Sequence, residues 1–67
     1  MAYKNLTYEE YKQEIYNICK EKYAVVKAYP QEFEKEFERE DKNGDLKWYY
    51  DKGYTPSDVA GGIALMV

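Results

Sequence analysis

A chain of 67 residues is long enough for one domain only, because so few residues cannot enclose a second hydrophobic core. It contains one cysteine and no histidine, which excludes an internal disulfide and leaves zinc without its usual ligands. Its net charge of −3 argues against direct binding to nucleic acid or to anionic lipid. Residues 1–7 lack the apolar core of a signal peptide and no stretch has transmembrane length. We therefore expect a single domain over residues 1–67, located in the cytoplasm and not in a membrane.

The first predicted helix begins at a capping box, in which Thr7 and Glu10 each bind the backbone N–H of the other. Apolar residues then recur at helical spacing and share one half of the helical wheel. They are Tyr8, Tyr11, Ile15, Ile18, Cys19, Val25, Val26 and Tyr29. The pattern predicts one long amphipathic helix over residues 8–28, with Cys19 at the centre of its apolar face, buried and unreactive.

The second predicted helix begins at Pro30, because the missing N–H of proline is tolerated in a first turn. Phe33 and Phe37 lie four residues apart, so both share the face that must dock this helix onto the core. Asn43 and Gly44 tolerate a left-handed backbone and are expected to end it.

Two shorter helices are predicted in the last third of the chain. Asp45 is expected to cap a short helix that Gly53 ends. Thr55 as N-cap and Pro56 in the first turn then predict a final helix that extends to about Met66.

The final helix is small and apolar, and two glycines lie in its interior. Val59, Ile63 and Met66 are expected to point inward, and Ala60 and Gly62 to permit the close approach of a neighbour. The sequence thus predicts an all-α fold. It is a small bundle of about four helices, one long and N-terminal and three shorter.

Residues for catalysis or cofactor binding are missing, so we expect neither an enzyme nor a cofactor. There is no histidine to act as a general base, no serine or cysteine with a plausible partner, and no glycine-rich phosphate loop. The last two predicted helices have the outline of a helix-turn-helix, but residues 55–67 contain no Arg, Lys, Asn or Gln to contact DNA.

One segment resembles the opening of an EF-hand calcium loop, since Asp41, Asn43 and Asp45 occupy its first, third and fifth positions. The rest departs from that pattern: Leu46 stands where glycine is needed, and Lys52 stands where a bidentate glutamate should complete the ligand set. A helix end followed by a helix start explains the segment more simply, and we expect no metal site.

The chain is unusual in its aromatic content and in one acidic stretch. Nine tyrosines and one tryptophan exceed the needs of so small a core, and aromatic side chains anchor interfaces. The stretch from Gln31 to Asp45 contains seven carboxylates and three basic side chains. This stretch is either a solvated helix face or a patch that attracts a basic surface. The candidate partner-binding residues are Glu32, Glu34, Glu36, Glu38, Glu40, Asp41, Trp48 and Tyr54.

Three functions remain compatible with the sequence. The favoured one is a small acidic interaction protein that binds and occludes a larger protein partner with a basic surface. In make-up the chain looks like the short accessory inhibitors of phages and mobile elements. The alternatives are a structural or regulatory homo-oligomer, formed through the tyrosine face of the first helix, and a degenerate EF-hand-like module that responds to calcium.

Overall fold

The computed structural model describes residues 6–67; Met1–Asn5, which hold Tyr3 and most of the segment examined above for a signal peptide, lie outside the described residues. The chain forms α1 (Tyr8–Lys22), α2 (Ala24–Ala28), α3 (Pro30–Lys42), α4 (Asp45–Lys52) and α5 (Pro56–Leu65), with no strand in the described range. The predicted all-α fold is confirmed. No helix in residues 6–67 combines the length and the apolar character needed to cross a membrane.

The capping signals at the starts of α1 and α5 are confirmed. The Thr7 N–H donates to the Glu10 carboxylate over 2.8 Å, and the Glu10 N–H donates to the Thr7 hydroxyl over 3.1 Å. At α5, the Thr55 hydroxyl accepts the N–H of Asp58 over 3.1 Å. Each cap pairs amides that a helix start would otherwise leave without partners.

The predicted single helix over residues 8–28 is interrupted at Tyr23, which has an extended backbone with φ −108° and ψ 115°. The interruption separates α1 from α2 and allows α2 to contact both α1 and α3. Val26 becomes fully buried in the same core as Phe33. The prediction was wrong here because the helical wheel records only which residues are apolar. A helical wheel cannot show that Tyr23 lies close to Gly61 of α5 in the folded chain.

The core lies mainly between α1 and α5, which form the most extensive helix–helix contact of the described chain. Ile15 and Cys19 of α1 and Ala60 of α5 are completely buried there. The Cys19 thiol donates to the Ala60 carbonyl over 3.5 Å, and burial raises the pKa of this thiol to about 11. Cys19 is therefore a packing residue held in its protonated form.

Details of α4 and α5 differ from the sequence-based expectation. The N-cap of α4 is Gly44, which has the left-handed φ of 83°, and Asp45 is already inside the helix. The close approach in α5 occurs at Gly61, whereas a Cβ on Gly62 would meet no atom within 4 Å. Met66 follows the end of α5 and is 47% exposed, so the prediction that it points inward is wrong.

Candidate partner-binding site

Helices α3, α4 and α5 surround an open groove of about 370 Å³, which we call the Glu40 groove. Glu40 comes from α3, Tyr49 from α4 and Asp58 from the first turn of α5. The remaining lining residues are Tyr54, Val59, Gly62, Ile63 and Met66. Two tight turns bring these helices together, at Gly44 and at Gly53, both with left-handed φ values near 84°. The groove has the size of a small-ligand pocket and has mixed apolar, aromatic and acidic walls.

An aromatic cluster of Trp48, Tyr49 and Tyr54 forms one side of the groove and extends beyond it. The rings of Trp48 and Tyr54 are stacked, with centroids 5.9 Å apart, and Tyr49 meets each of them edge-on at 5.5 Å. Trp48 is 51% exposed and Tyr54 is 45% exposed. Because their mutual packing limits their freedom, these rings can bind a partner with little further loss of conformational entropy.

The backbone of Tyr54 is fixed on both sides of its peptide. Its N–H donates to the Tyr49 carbonyl over 3.1 Å, and its carbonyl accepts the hydroxyl of Tyr11 over 2.7 Å. Tyr11 is itself completely buried against the core. The backbone of Tyr54, whose ring is exposed, is thus hydrogen-bonded to a side chain of the buried core.

Glu40 is an acidic residue at the base of the groove and is only 7% exposed. Burial raises the pKa of its carboxyl, and the neighbouring carboxyls of Asp45 and Glu36 raise it further; Arg39 acts in the opposite direction more weakly. The group in hydrogen-bonding contact with the Glu40 carboxyl is the carboxyl of Asp45. Two carboxyls in contact need a proton or a cation between them.

The remaining carboxylates of α3 are mostly engaged within the chain. Glu34 accepts a hydrogen bond from Tyr16 and lies 3.9 Å from the Lys20 ammonium. Glu36 pairs with Arg39, and Glu38 pairs with Lys42 at 3.0 Å. Glu32 is exposed in the first turn of the helix. The predicted acidic patch is therefore divided between internal pairs and open solvent, and only Glu40 contributes to the groove.

Asp41 also binds within the chain, and it joins α3 to α1. It accepts the Tyr8 hydroxyl over 2.7 Å and the Lys12 ammonium over 3.1 Å. The hydrogen bond from Tyr8 lowers the pKa of Asp41, and Lys12 lowers it further, although partial burial opposes both. Of the candidate partner-binding residues, the fold brings together Glu40, Trp48 and Tyr54, and it directs Asp41 elsewhere.

The EF-hand-like segment is used for chain reversal between α3 and α4. Asp41 is turned towards α1, Asn43 is the C-cap of α3, and Asp45 lies beside Glu40. Within residues 6–67, no three acidic or cysteine side chains are grouped so that they could hold a metal ion.

Of the eight residues that line the groove, six were not recognised as site residues in the sequence: Tyr49, Asp58, Val59, Gly62, Ile63 and Met66. Asp58 and Gly62 lie four residues apart on one face of α5, and Met66, the residue that follows the helix, lies four residues further on. That spacing was the available signal, but it carries meaning only once α3 and α4 are placed beside the helix.

No family model, curated protein or solved structure is detectably similar to this chain.

Proposed function

We propose that this chain is a cytoplasmic protein-interaction module that binds and occludes a larger protein partner with a basic surface, as a phage-type accessory inhibitor does. The observation that carries the proposal is the aromatic cluster: Trp48 and Tyr54 are stacked and half-exposed directly beside a groove that contains the carboxyl of Glu40. Large, ordered aromatic side chains next to charged groups are typical of residues that dominate binding energy at interfaces.

The test is an affinity capture from lysate of the native organism, treated with nuclease, at low and high salt. The wild-type bait is compared with a Trp48→Ala/Tyr54→Ala double variant and with a Tyr29→Ala control. Tyr29 is a matched control because it is also exposed but lies at the start of α3, outside the aromatic cluster. Folding of each bait is checked by circular dichroism.

We expect one stoichiometric protein that the wild type and Tyr29→Ala retain and the double variant loses. Loss of the partner at high salt would add support for a basic surface, since ion pairs weaken as salt screens them. Absence of a partner at both salt concentrations, or equal capture by all three baits, would contradict the proposal.

A homo-oligomer through the tyrosine face of α1 is the alternative. In the fold, Tyr11 is buried, Tyr8 packs edge-on against Tyr50, and Tyr16 packs against Phe33. Helices of the same chain thus already occupy much of this face. Sedimentation equilibrium at high protein concentration distinguishes the interaction module from the homo-oligomer. We expect a monomer, and a concentration-dependent dimer would favour the homo-oligomer.

A further inference from the structure

The Glu40 groove combines three features that are independent of one another. Its lining includes Glu40, a residue that is only 7% exposed, the exposed residue Asp58, and the tyrosines Tyr49 and Tyr54. A volume of about 370 Å³ is at the small end for ligand pockets and suits one long side chain.

The immediate surroundings of Glu40 disfavour its charged form. Its hydrogen-bonding neighbour is the carboxyl of Asp45, and in residues 6–67 no lysine or arginine forms an ion pair with it. Burying a carboxylate without a donor is costly, so a group that enters the groove with several N–H donors would replace an unfavourable contact by favourable ones.

The tyrosine rings of the groove indicate which kind of donor group would bind there. Tyrosine rings attract cations over their faces, and a planar guanidinium can stack on them while it donates to a carboxylate. The chain provides an example at the edge of the same cluster, where the Lys52 ammonium lies 5.6 Å from the centre of the Trp48 ring. A guanidinium fits the combination of ring and carboxyl better than an ammonium, because its donors form a flat fork.

We infer that the Glu40 groove is a receptor for one arginine side chain of the protein partner, with Glu40 and Asp58 as the anionic groups and Tyr49 and Tyr54 as the stacking wall. The inference rests on the proposed function for the identity of the partner as a protein. It adds the recognition chemistry: the arginine enters between α3, α4 and α5, while Trp48 contacts the surface around it.

The experiment uses ethylguanidinium chloride as the probe and N-ethylurea as its neutral counterpart of similar shape. Each is titrated into the full ¹⁵N-labelled chain at constant ionic strength, and the amide shifts are followed by NMR. The variants are Glu40→Gln, the exposed Asp58→Asn as a second groove variant, and Glu38→Gln as the control. Glu38 is also on α3 but is exposed and pairs with Lys42 outside the groove.

We expect saturable shifts at Tyr49, Tyr54, Asp58 and Gly62 with ethylguanidinium and not with N-ethylurea. Loss of one charge-assisted hydrogen bond should weaken the probe about tenfold in Glu40→Gln and less in Asp58→Asn, with no change in Glu38→Gln. Absence of saturable groove shifts, equal shifts with the urea, or unchanged affinity in both groove variants would overturn the inference. Because no partner is used, this failure is distinct from a failure to capture a protein from lysate.

Discussion

The two faces of α5 differ in what they contact and in how far their own residues determine it. The inner face packs against α1: Ala60 is completely buried and its carbonyl accepts the Cys19 thiol, and Tyr23 approaches Gly61 so closely that a Cβ there would lie 3.2 Å from its hydroxyl. The outer face, with Asp58, Gly62 and Met66, borders the Glu40 groove. One short helix thus packs against the core with one face and borders an open groove with the other.

The largest effect should come from deleting side-chain volume at the inner contact. Ile15→Ala removes a completely buried side chain from α1, and we expect it to lower the free energy of unfolding by about 2–5 kcal/mol. Met66→Ala, on the groove side, should cost less than about 1 kcal/mol because that side chain is half-exposed. Urea denaturation followed by circular dichroism gives both values. Equal losses in the two variants would contradict the distinction between the core contact and the groove side.

The helix starts and the apolar face of α1 that packs against α5 were largely predictable from the sequence, because their determinants are local. Helix caps at Thr7 and Thr55 depend on residues three positions apart, and the apolar spacing of Ile15 and Cys19 depends on one helix. The interruption at Tyr23 was not predictable, since the extended residue is associated with a contact 38 positions later, at Gly61. A pattern within one helix carries no information about such a neighbour.

The groove could be predicted only in part. Trp48 and Tyr54 were identified from the surplus of aromatic residues, and Glu40 was identified as one of several equivalent acidic positions. What distinguishes Glu40 from Glu38 is burial beside Asp45, which depends on the turn between α3 and α4. The site residues of a groove between three helices share no sequence spacing, so sequence analysis could not group them.

Adjacent carboxyls on α3 extend the comparison, because Asp41 accepts hydrogen bonds from Tyr8 and Lys12, whereas the hydrogen-bonding neighbour of Glu40 is another carboxyl, that of Asp45. Tyr8→Phe removes the hydroxyl that donates to Asp41, and we expect a loss of about 1 kcal/mol in the free energy of unfolding. The pKa of Asp41 is lowered from its ordinary 3.8, so the stability from its charged form is full above pH 3.8. This stability is lost as the pH falls through the lower pKa that Asp41 has in the folded chain. The gap between wild type and Tyr8→Phe, measured by urea denaturation, should therefore narrow below pH 3.8; a gap that widens there would contradict the pairing.

Glu40→Gln should raise the free energy of unfolding at neutral pH, whereas Tyr8→Phe should lower it. The pKa of Glu40 is raised from its ordinary 4.5, so the favourable protonated form is fully populated below pH 4.5 and is lost as the pH rises through the folded value. Removing the charge should therefore leave stability unchanged in acid and raise it by about 0.5–1 kcal/mol at neutral pH. Thermal unfolding across this range provides the measurement, with Glu38→Gln as the control. A loss of stability at neutral pH would show that the charged carboxyl is satisfied within the chain.

The smallest expected effect comes from adding a methyl group at two neighbouring glycines that lie on different faces of α5. Gly62→Ala adds a methyl group that meets nothing within 4 Å, so the gain in helix propensity should raise the free energy of unfolding by about 0.5 kcal/mol. Gly61→Ala adds the same group 3.2 Å from the Tyr23 hydroxyl, so the ring must shift and the gain should be reduced or reversed. Parallel urea titrations compare the two, and Gly61→Ala/Tyr23→Phe is the control, because removal of the hydroxyl should relieve the contact. If Gly61→Ala were as stabilising as Gly62→Ala, the approach of Tyr23 to α5 would be looser than the 3.2 Å distance indicates.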